Sequence, residues 1–364
     1  MAITDMYHTC FAKIRQLRPK ERVTRVRNMA WLLAGLFGGQ CVPWSHIARK
    51  IPGSSQKLSK VKMLSRLLNK RHIRVRSWYE PVVRDLVATA VNHGQTLRLL
   101  VDGTKVGNGD QLLMVALAYR RRALPIVWTW VKSSRGHSSA QKQCALLAYV
   151  PSLIPANAKV EVAGDREFDA IEVLRLLDAW GWGYALRQKG SHLVCGAGQS
   201  TRQRCDSFVT RPGDACWLDS VHLTQKHASP TRFFAFWQKG VSEPWLLATN
   251  LASPRQTSKL STVRMWIEEM FADFKRHGFD LESTHLNHFL RLSRLTLAVA
   301  LLYLWTVLFG SQTIKDGKRR LVDRSDRRDL SIFRIGLDML ERCLANREPF
   351  LIRPTPYFHK VYGG

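Results

Sequence analysis

The sequence predicts a mixed α/β protein: a central mixed sheet with a β-rich insertion, a helical basic N-terminal region and a helical C-terminal region. Three observations support this. The first 90 residues carry helical periodicity and no strand-like run. From about residue 96 to 188, apolar runs of strand length alternate with turn signals and helical stretches. From about residue 190 to 250, short strand-like runs are punctuated by Gly, Ser, Thr and Pro, and the chain then reads as helical to its end.

At 364 residues and 45% hydrophobic content, the chain can bury a sizeable core. Domains of about 100–200 residues each allow two or three of them. The expected units are 1–90, 91–310 with the insertion at about 190–250, and 311–364. Lys and Arg number 56 against 28 Asp and Glu, a net charge of +28. That excess points to a polyanionic partner, because each phosphate neutralised by Lys or Arg releases a counterion. DNA is the first expectation and an anionic membrane surface the second. The seven cysteines are scattered without a C-x2-C pair, which argues against a zinc finger. An odd count fits a reducing cytosol better than a disulfide framework. The apolar stretch at 29–39 starts too late for a signal peptide and reads as a buried helix. The longest apolar run, 295–310, is shorter than the roughly 20 residues of a membrane span and reads as a core helix.

The first 90 residues hold 18 Lys and Arg against 4 Asp and Glu, half of the net charge. In residues 54–70, Leu58, Val61, Leu64, Leu67 and Leu68 form one helical stripe at about 100° per residue. Lys62, Arg66 and Lys70 form the opposite stripe. A shorter helix at about 44–50 precedes it across an "IPG" turn. Helix, turn and basic helix is a helix-turn-helix pattern. The plain alternative is a solvated basic face, but the "NKRHIRVR" run at 69–76 adds charge beside it.

Strands follow at 97–106, 111–121 and 124–132. The "GNGD" at 107–110 supplies a hairpin turn through its Asn-Gly pair. Then come a helix at about 139–153, a strand at 159–165, a helix at about 169–180 and a strand at 184–188. The order β-β-β-α-β-α-β is that of a ribonuclease H-like fold. The insertion contains strand-like runs at 215–223, 232–238 and 244–251.

Active residues in such an order sit at strand ends. Asp102 follows three apolar residues in "LLVDGT", and Gly103 beside it permits close approach of a ligand or backbone. Asp165 ends the fourth strand, in "VAGDREF"; Asp169 stands nearer the following helix and can cap it. A third acid lies in "VRMWIEEMFADFKRHGFD", 263–280. Treated as a helix over 263–277, Arg264, Glu268 and Lys275 fall within about 40° of one another on a polar strip. Glu269 and Asp273 fall on a different, solvated face. Of the adjacent glutamates, Glu268 is therefore the functional candidate and Glu269 a surface residue. The alternative for the strip is an ordinary Arg264–Glu268 ion pair of a few tenths of a kcal/mol.

Asp102 in "VDGT", Asp165 in "GDREF" and Glu268 within R-x3-E-x6-K resemble the DDE transposases of bacterial insertion sequences. They resemble in particular the branch with a Y-x2-R-x3-E-x6-K motif and a β insertion in a ribonuclease H-like core. Ser261 stands where that motif has tyrosine. The resemblance spans roughly residues 50–310. It implies metal-dependent cleavage and strand transfer at inverted repeats, by a homodimer in the bacterial cytoplasm and its nucleoid, with no membrane partner. Three carboxylates suit Mg²⁺, with Mn²⁺ as substitute, since both are hard cations that prefer oxygen. Arg166, Arg264 and Lys275 become candidate phosphate contacts, and Lys62, Arg66 and Lys70 the DNA-binding face. Members of this kind can cut through a hairpin in which an insertion aromatic stacks on a flipped base; Trp217, Trp237 and Trp245 are available. Two alternatives remain open: a nuclease of this fold without strand transfer, and a non-catalytic DNA-binding derivative.

Overall fold

The computed structural model describes residues 2–107, 109–132, 138–196, 201–224, 231–352 and 356–358. Five helices come first: α1 (Ala2–Leu17), α2 (Val23–Gly39), α3 (Trp44–Lys50), α4 (Lys57–Asn69) and α5 (Val75–Asn92). Three strands follow, β1 (Leu97–Val106), β2 (Asp110–Tyr119) and β3 (Arg122–Lys132), then α6 (Ala140–Leu147), β4 (Val160–Gly164), α7 (Ile171–Ala179) and β5 (Gly183–Arg187). The insertion supplies β6 (Leu193–Gly196), β7 (Gln203–Arg204), β8 (Ala215–Leu223), β9 (Thr231–Phe236) and β10 (Trp245–Thr249). The chain closes with α8 (Pro254–Val263), α9 (Met265–Phe274), α10 (Phe289–Lys315) and α11 (Ile332–Asn346).

The described strands form one ten-stranded sheet in the order β3-β2-β1-β4-β5-β10-β9-β8-β6-β7. β1, β2 and β3 are an antiparallel meander, while β4 runs parallel to β1 and β5 parallel to β4. The expected β-β-β-α-β-α-β order is present. The insertion does not make a sheet of its own. β10 returns to pair antiparallel with β5, which covers an edge that would otherwise expose unpaired backbone groups.

The core is built around α10. The helix extends past the expected apolar run of 295–310 at both ends, and α10 is long and apolar enough to cross a membrane, yet 94% of its apolar window is buried inside the protein. It packs on β3, α11 and the N-terminal helices α2, α4 and α5. Two glycines let α11 approach it. A Cβ at Gly310 would meet the Ile332 carbonyl oxygen at 2.0 Å, and one at Gly336 would meet the Thr306 carbonyl oxygen at 1.9 Å. Residue 310, the expected end of the central unit, lies inside this helix.

Several local expectations change. In α4, Leu64, Leu67 and Leu68 are buried, but Leu58, in the first turn, is 60% exposed. The helix expected at 139–153 stops at Leu147 and continues as a 3₁₀ turn over Val150–Leu153. Asn108 of the expected hairpin turn lies outside the described residues, and Gly107 and Gly109 on either side have φ of +57° and +90°. The β2–β3 turn is tighter: Arg120 and Arg121 alone connect the strands, with φ of +47° and +64°. A non-glycine residue in this region costs about 1–2 kcal/mol.

Candidate active site

Asp102 lies in β1 and Asp165 directly follows β4. These strands are parallel neighbours with Val101 opposite Gly164, so the two aspartates stand side by side at the same end of the sheet. Asp102 is buried, and its Oδ1 accepts from the Gly103 amide at 2.7 Å. Burial pushes its carboxyl up to about 7, against the pull of Arg264 and the Gly103 amide; Asp165 and Glu268 add to the rise. Asp165 Oδ1 is buried and accepts no hydrogen bond, with Arg187 Nη1 at 3.9 Å.

Glu268 arrives from α9. Only Arg264 separates α8 from α9, and it keeps helical φ and ψ of −52° and −39°, so the i, i+4 geometry survives. A single Arg264 nitrogen, Nη1, reaches Glu268 Oε1 at 2.7 Å and Asp102 Oδ2 at 3.4 Å. Burial works to lower the Arg264 guanidinium, and the carboxylates of Glu268, Asp165 and Asp102 outweigh it and raise it. The guanidinium is thus buried among the acids while the Glu268 side chain stays 49% exposed.

Among the described residues, no three His, Cys, Asp or Glu side chains converge into a ready cation cluster. The donors still suit a hard cation in kind. Asp102 carries a burial-raised carboxyl that a cation would hold ionised, and Asp165 presents a buried oxygen that accepts no hydrogen bond. Glu268 would join them by turning from Arg264, which its exposure allows.

The chain is similar to a solved piggyBac transposase in a synaptic complex with hairpin DNA, at 9% identity and a TM-score of 0.45, over 95% of this chain and 78% of that one. No family model and no curated protein matches the sequence.

Not every expected site residue gathers here. Arg166 lines the same cavity as Asp102 and Asp165 and forms an ion pair with Glu243 of the insertion. Lys275 does not join the strip. α9 ends at Phe274, and Lys275, with φ −95° and ψ −124°, turns away to pair with Glu282 at 3.1 Å. Glu269 is 53% exposed and bound to Arg122 at 3.2 Å. Asp273, expected on the solvated face, is buried and pairs with Arg122 at 2.8 Å, because β3 brings that arginine beneath α9. Asp169 does not cap α7, whose N-cap is Ala170; it pairs with Lys189 at 2.9 Å. Ser261 is buried at the end of α8.

The structure adds residues outside the three-acid motif. Arg187 ends β5, next to Asp165, and its guanidinium lies 5.2 Å from the Trp245 ring centre. The strand-end rule that selects Asp165 would select it as well; Asp102 lies inside β1 rather than at its end. Trp217 and Trp237 instead donate to Asp219 and to the Val241 carbonyl. Lys105 and Lys189 line the 410 Å³ cavity over the aspartates. Glu167 accepts from Gln111 Nε2 at 2.7 and 3.0 Å and from the Ser138 amide at 2.6 Å. This pair explains Gly103: a Cβ there would meet Gln111 Nε2 at 2.4 Å and Glu167 Oε2 at 3.0 Å. The network fixes the turn after β4 and hence the carboxyl of Asp165.

Among the N-terminal helices, Lys62, Arg66 and Lys70 are all exposed. Arg66 and Lys70 line a groove of 390 Å³ whose other wall includes Arg22 and Arg25 of the α2 end.

Proposed function

We propose that this chain is a DDE transposase of the bacterial insertion-sequence kind, with a ribonuclease H-like core. It binds terminal inverted repeats as a homodimer at the nucleoid and carries out DNA cleavage and strand transfer. The observation that carries the reading is the pairing of Asp102 and Asp165 on adjacent parallel strands, with Glu268 tied to the same Arg264.

Asp102, Asp165 and Glu268 would hold Mg²⁺ or Mn²⁺, which would supply activation of the attacking oxygen and stabilisation of the leaving one. The chain's own residues do the rest. Arg264 keeps Asp102 and Glu268 in register before substrate arrives, and its guanidinium is then available to a phosphate oxygen. Arg166, Arg187 and Lys189 make a cationic rim that orients the scissile phosphate, and Lys275, paired with Glu282, stands outside that rim. Glu167 and Gln111 hold the Asp165 turn rigid. The nucleophile is water in the first cut and the freed 3′-OH in the second, so no Ser or Tyr need bond covalently to DNA.

Lys62, Arg66 and Lys70 act on the repeat through its backbone. Replacing all three with alanine is expected to reduce the slope of log K against log salt by about 0.9 for each phosphate no longer neutralised. A titration by fluorescence anisotropy over a range of salt reads this directly; an unchanged slope would make the face merely solvated.

The proposal as a whole is tested by incubating the protein with Mg²⁺ and DNA carrying the repeats that flank its own coding sequence. Cleaved ends that become joined to other DNA are the expected products. Cleavage alone favours a nuclease of the same fold, and binding without products favours a non-catalytic derivative.

A further inference from the structure

On the other side of α9 lies a second cleft, of 540 Å³, at the β2–β3 turn. Its walls include Arg120 and Arg121 from the turn, Met265 and Trp266 from α9, and Arg319 and Arg328 from the segment between α10 and α11. We propose that this cleft grips the phosphodiester backbone of a second DNA duplex, alongside the one bound at the N-terminal helices.

The turn is the first support. A two-residue hairpin turn with positive φ at both positions favours Asn-Gly, and this chain places two arginines there, at φ +47° and +64°. Residues held in sparsely populated backbone regions cluster at ligand-binding sites. The strain here presents cationic side chains at a sheet end where core packing asks for none.

Charge is the second. The carboxylates of the cleft are already matched: Glu269 by Arg122 at 3.2 Å, and Asp329 by Arg327 at 2.7 Å. Arg120 is oriented by a 2.6 Å bond to Ser311 Oγ. Arg121 and Arg328 are exposed, and neither side chain has a hydrogen bond or ion pair among the described residues. Free guanidinium forks beside a fixed one suit phosphate oxygens. A duplex is favoured over an acidic peptide because a net charge of +28 suits a long polyanion rather than a short one.

Position is the third. α9 carries Glu268 toward Asp102 and Glu269 toward the cleft, so one helix separates this surface from the acids. A duplex here lies beside the candidate active site, where a target strand would have to be. The inference rests on the chain handling DNA, yet its test needs no chemistry.

The experiment uses the full chain in EDTA with a random-sequence duplex, in the background where Lys62, Arg66 and Lys70 are alanine. Arg121→Gly is expected to reduce the salt slope by about 0.9, and Arg121→Gly with Arg328→Ala by about 1.8. Arg121→Gly is also expected to keep or raise the melting temperature, since glycine accepts this φ freely. Weaker DNA binding in a protein at least as stable supports the cleft. Unchanged slopes in both variants overturn it, as does a change in self-association with DNA binding intact, which would make the cleft an interface between copies. Loss of cleavage elsewhere leaves this result standing, so failure of the cleft and failure of the transposase reading are separable.

Discussion

Asp102→Ala is expected to reduce DNA cleavage on the order of 10³-fold or more and to leave DNA binding intact. Asp102 contributes a buried carboxyl to the site and no contact that a phosphate would want. Losing a cation ligand forfeits several kcal/mol of charge stabilisation, at about 1.4 kcal/mol per tenfold in rate. Asp165→Ala and Glu268→Ala are expected to match it. The fold tolerates these changes, since Arg264 retains a carboxylate partner in each aspartate variant through Glu268 at 2.7 Å. Glu269→Ala is the control one residue away: its side chain faces the other cleft and pairs with Arg122. It is expected to keep most of the activity. A gel assay of labelled ends checks all four variants. Activity lost in Glu269→Ala and kept in Glu268→Ala would sink the assignment of faces on α9.

Asp273→Ala is expected to destabilise the protein by about 3 kcal/mol, because removing one partner of a buried pair leaves Arg122 with only a solvent-exposed carboxylate. Arg122 is held by Asp273 at 2.8 Å, and its remaining partner Glu269 is exposed to solvent. A melting curve or urea titration measures the loss, and a change within about 0.5 kcal/mol, as at ordinary surface sites, would contradict it. The pH dependence has a definite sign. Burial pushes the Asp273 carboxyl from 3.8 up to about 7, with Arg122 opposing and Glu269 adding. The folded state therefore holds a proton that the unfolded chain releases, so this group's stabilisation is full below about pH 4 and is lost as pH rises through 7. Asp273→Asn is expected to flatten the fall of melting temperature over that interval.

What can be read from the sequence is local. α3 falls at Trp44–Lys50 and β8 at Ala215–Leu223, where apolar spacing and turn residues place them. The Arg264–Glu268 pair is legible because i, i+4 neighbours need only one turn of helix. A helical wheel misplaces Lys275 because that residue lies just past the end of α9, and tertiary contacts rather than periodicity set where a helix stops. Asp273 reads as solvated because nothing near it in the chain tells that Arg122, 151 residues away, meets it from β3. The joining of the insertion to the main sheet is hidden for the same reason: the β5–β10 pairing links segments far apart in the chain. Arg187 and Glu167 carry a readable signal, a charged residue at or just beyond a strand end, but they match no part of the three-acid motif.

The use of the first-formed 3′-OH separates a transposase from a nuclease most directly. Pre-cut, labelled ends bearing a free 3′-OH, incubated with the protein, Mg²⁺ and an unrelated plasmid, are expected to join the plasmid without ATP, since one phosphodiester is exchanged for another. The same ends made 3′-dideoxy are expected to bind equally well and fail to join. Asp102→Ala, Asp165→Ala and Glu268→Ala are expected to abolish joining together with cleavage, because both steps use one site. Cleavage without any joined product, under conditions where paired ends are demonstrated, would contradict the transposase and leave a nuclease.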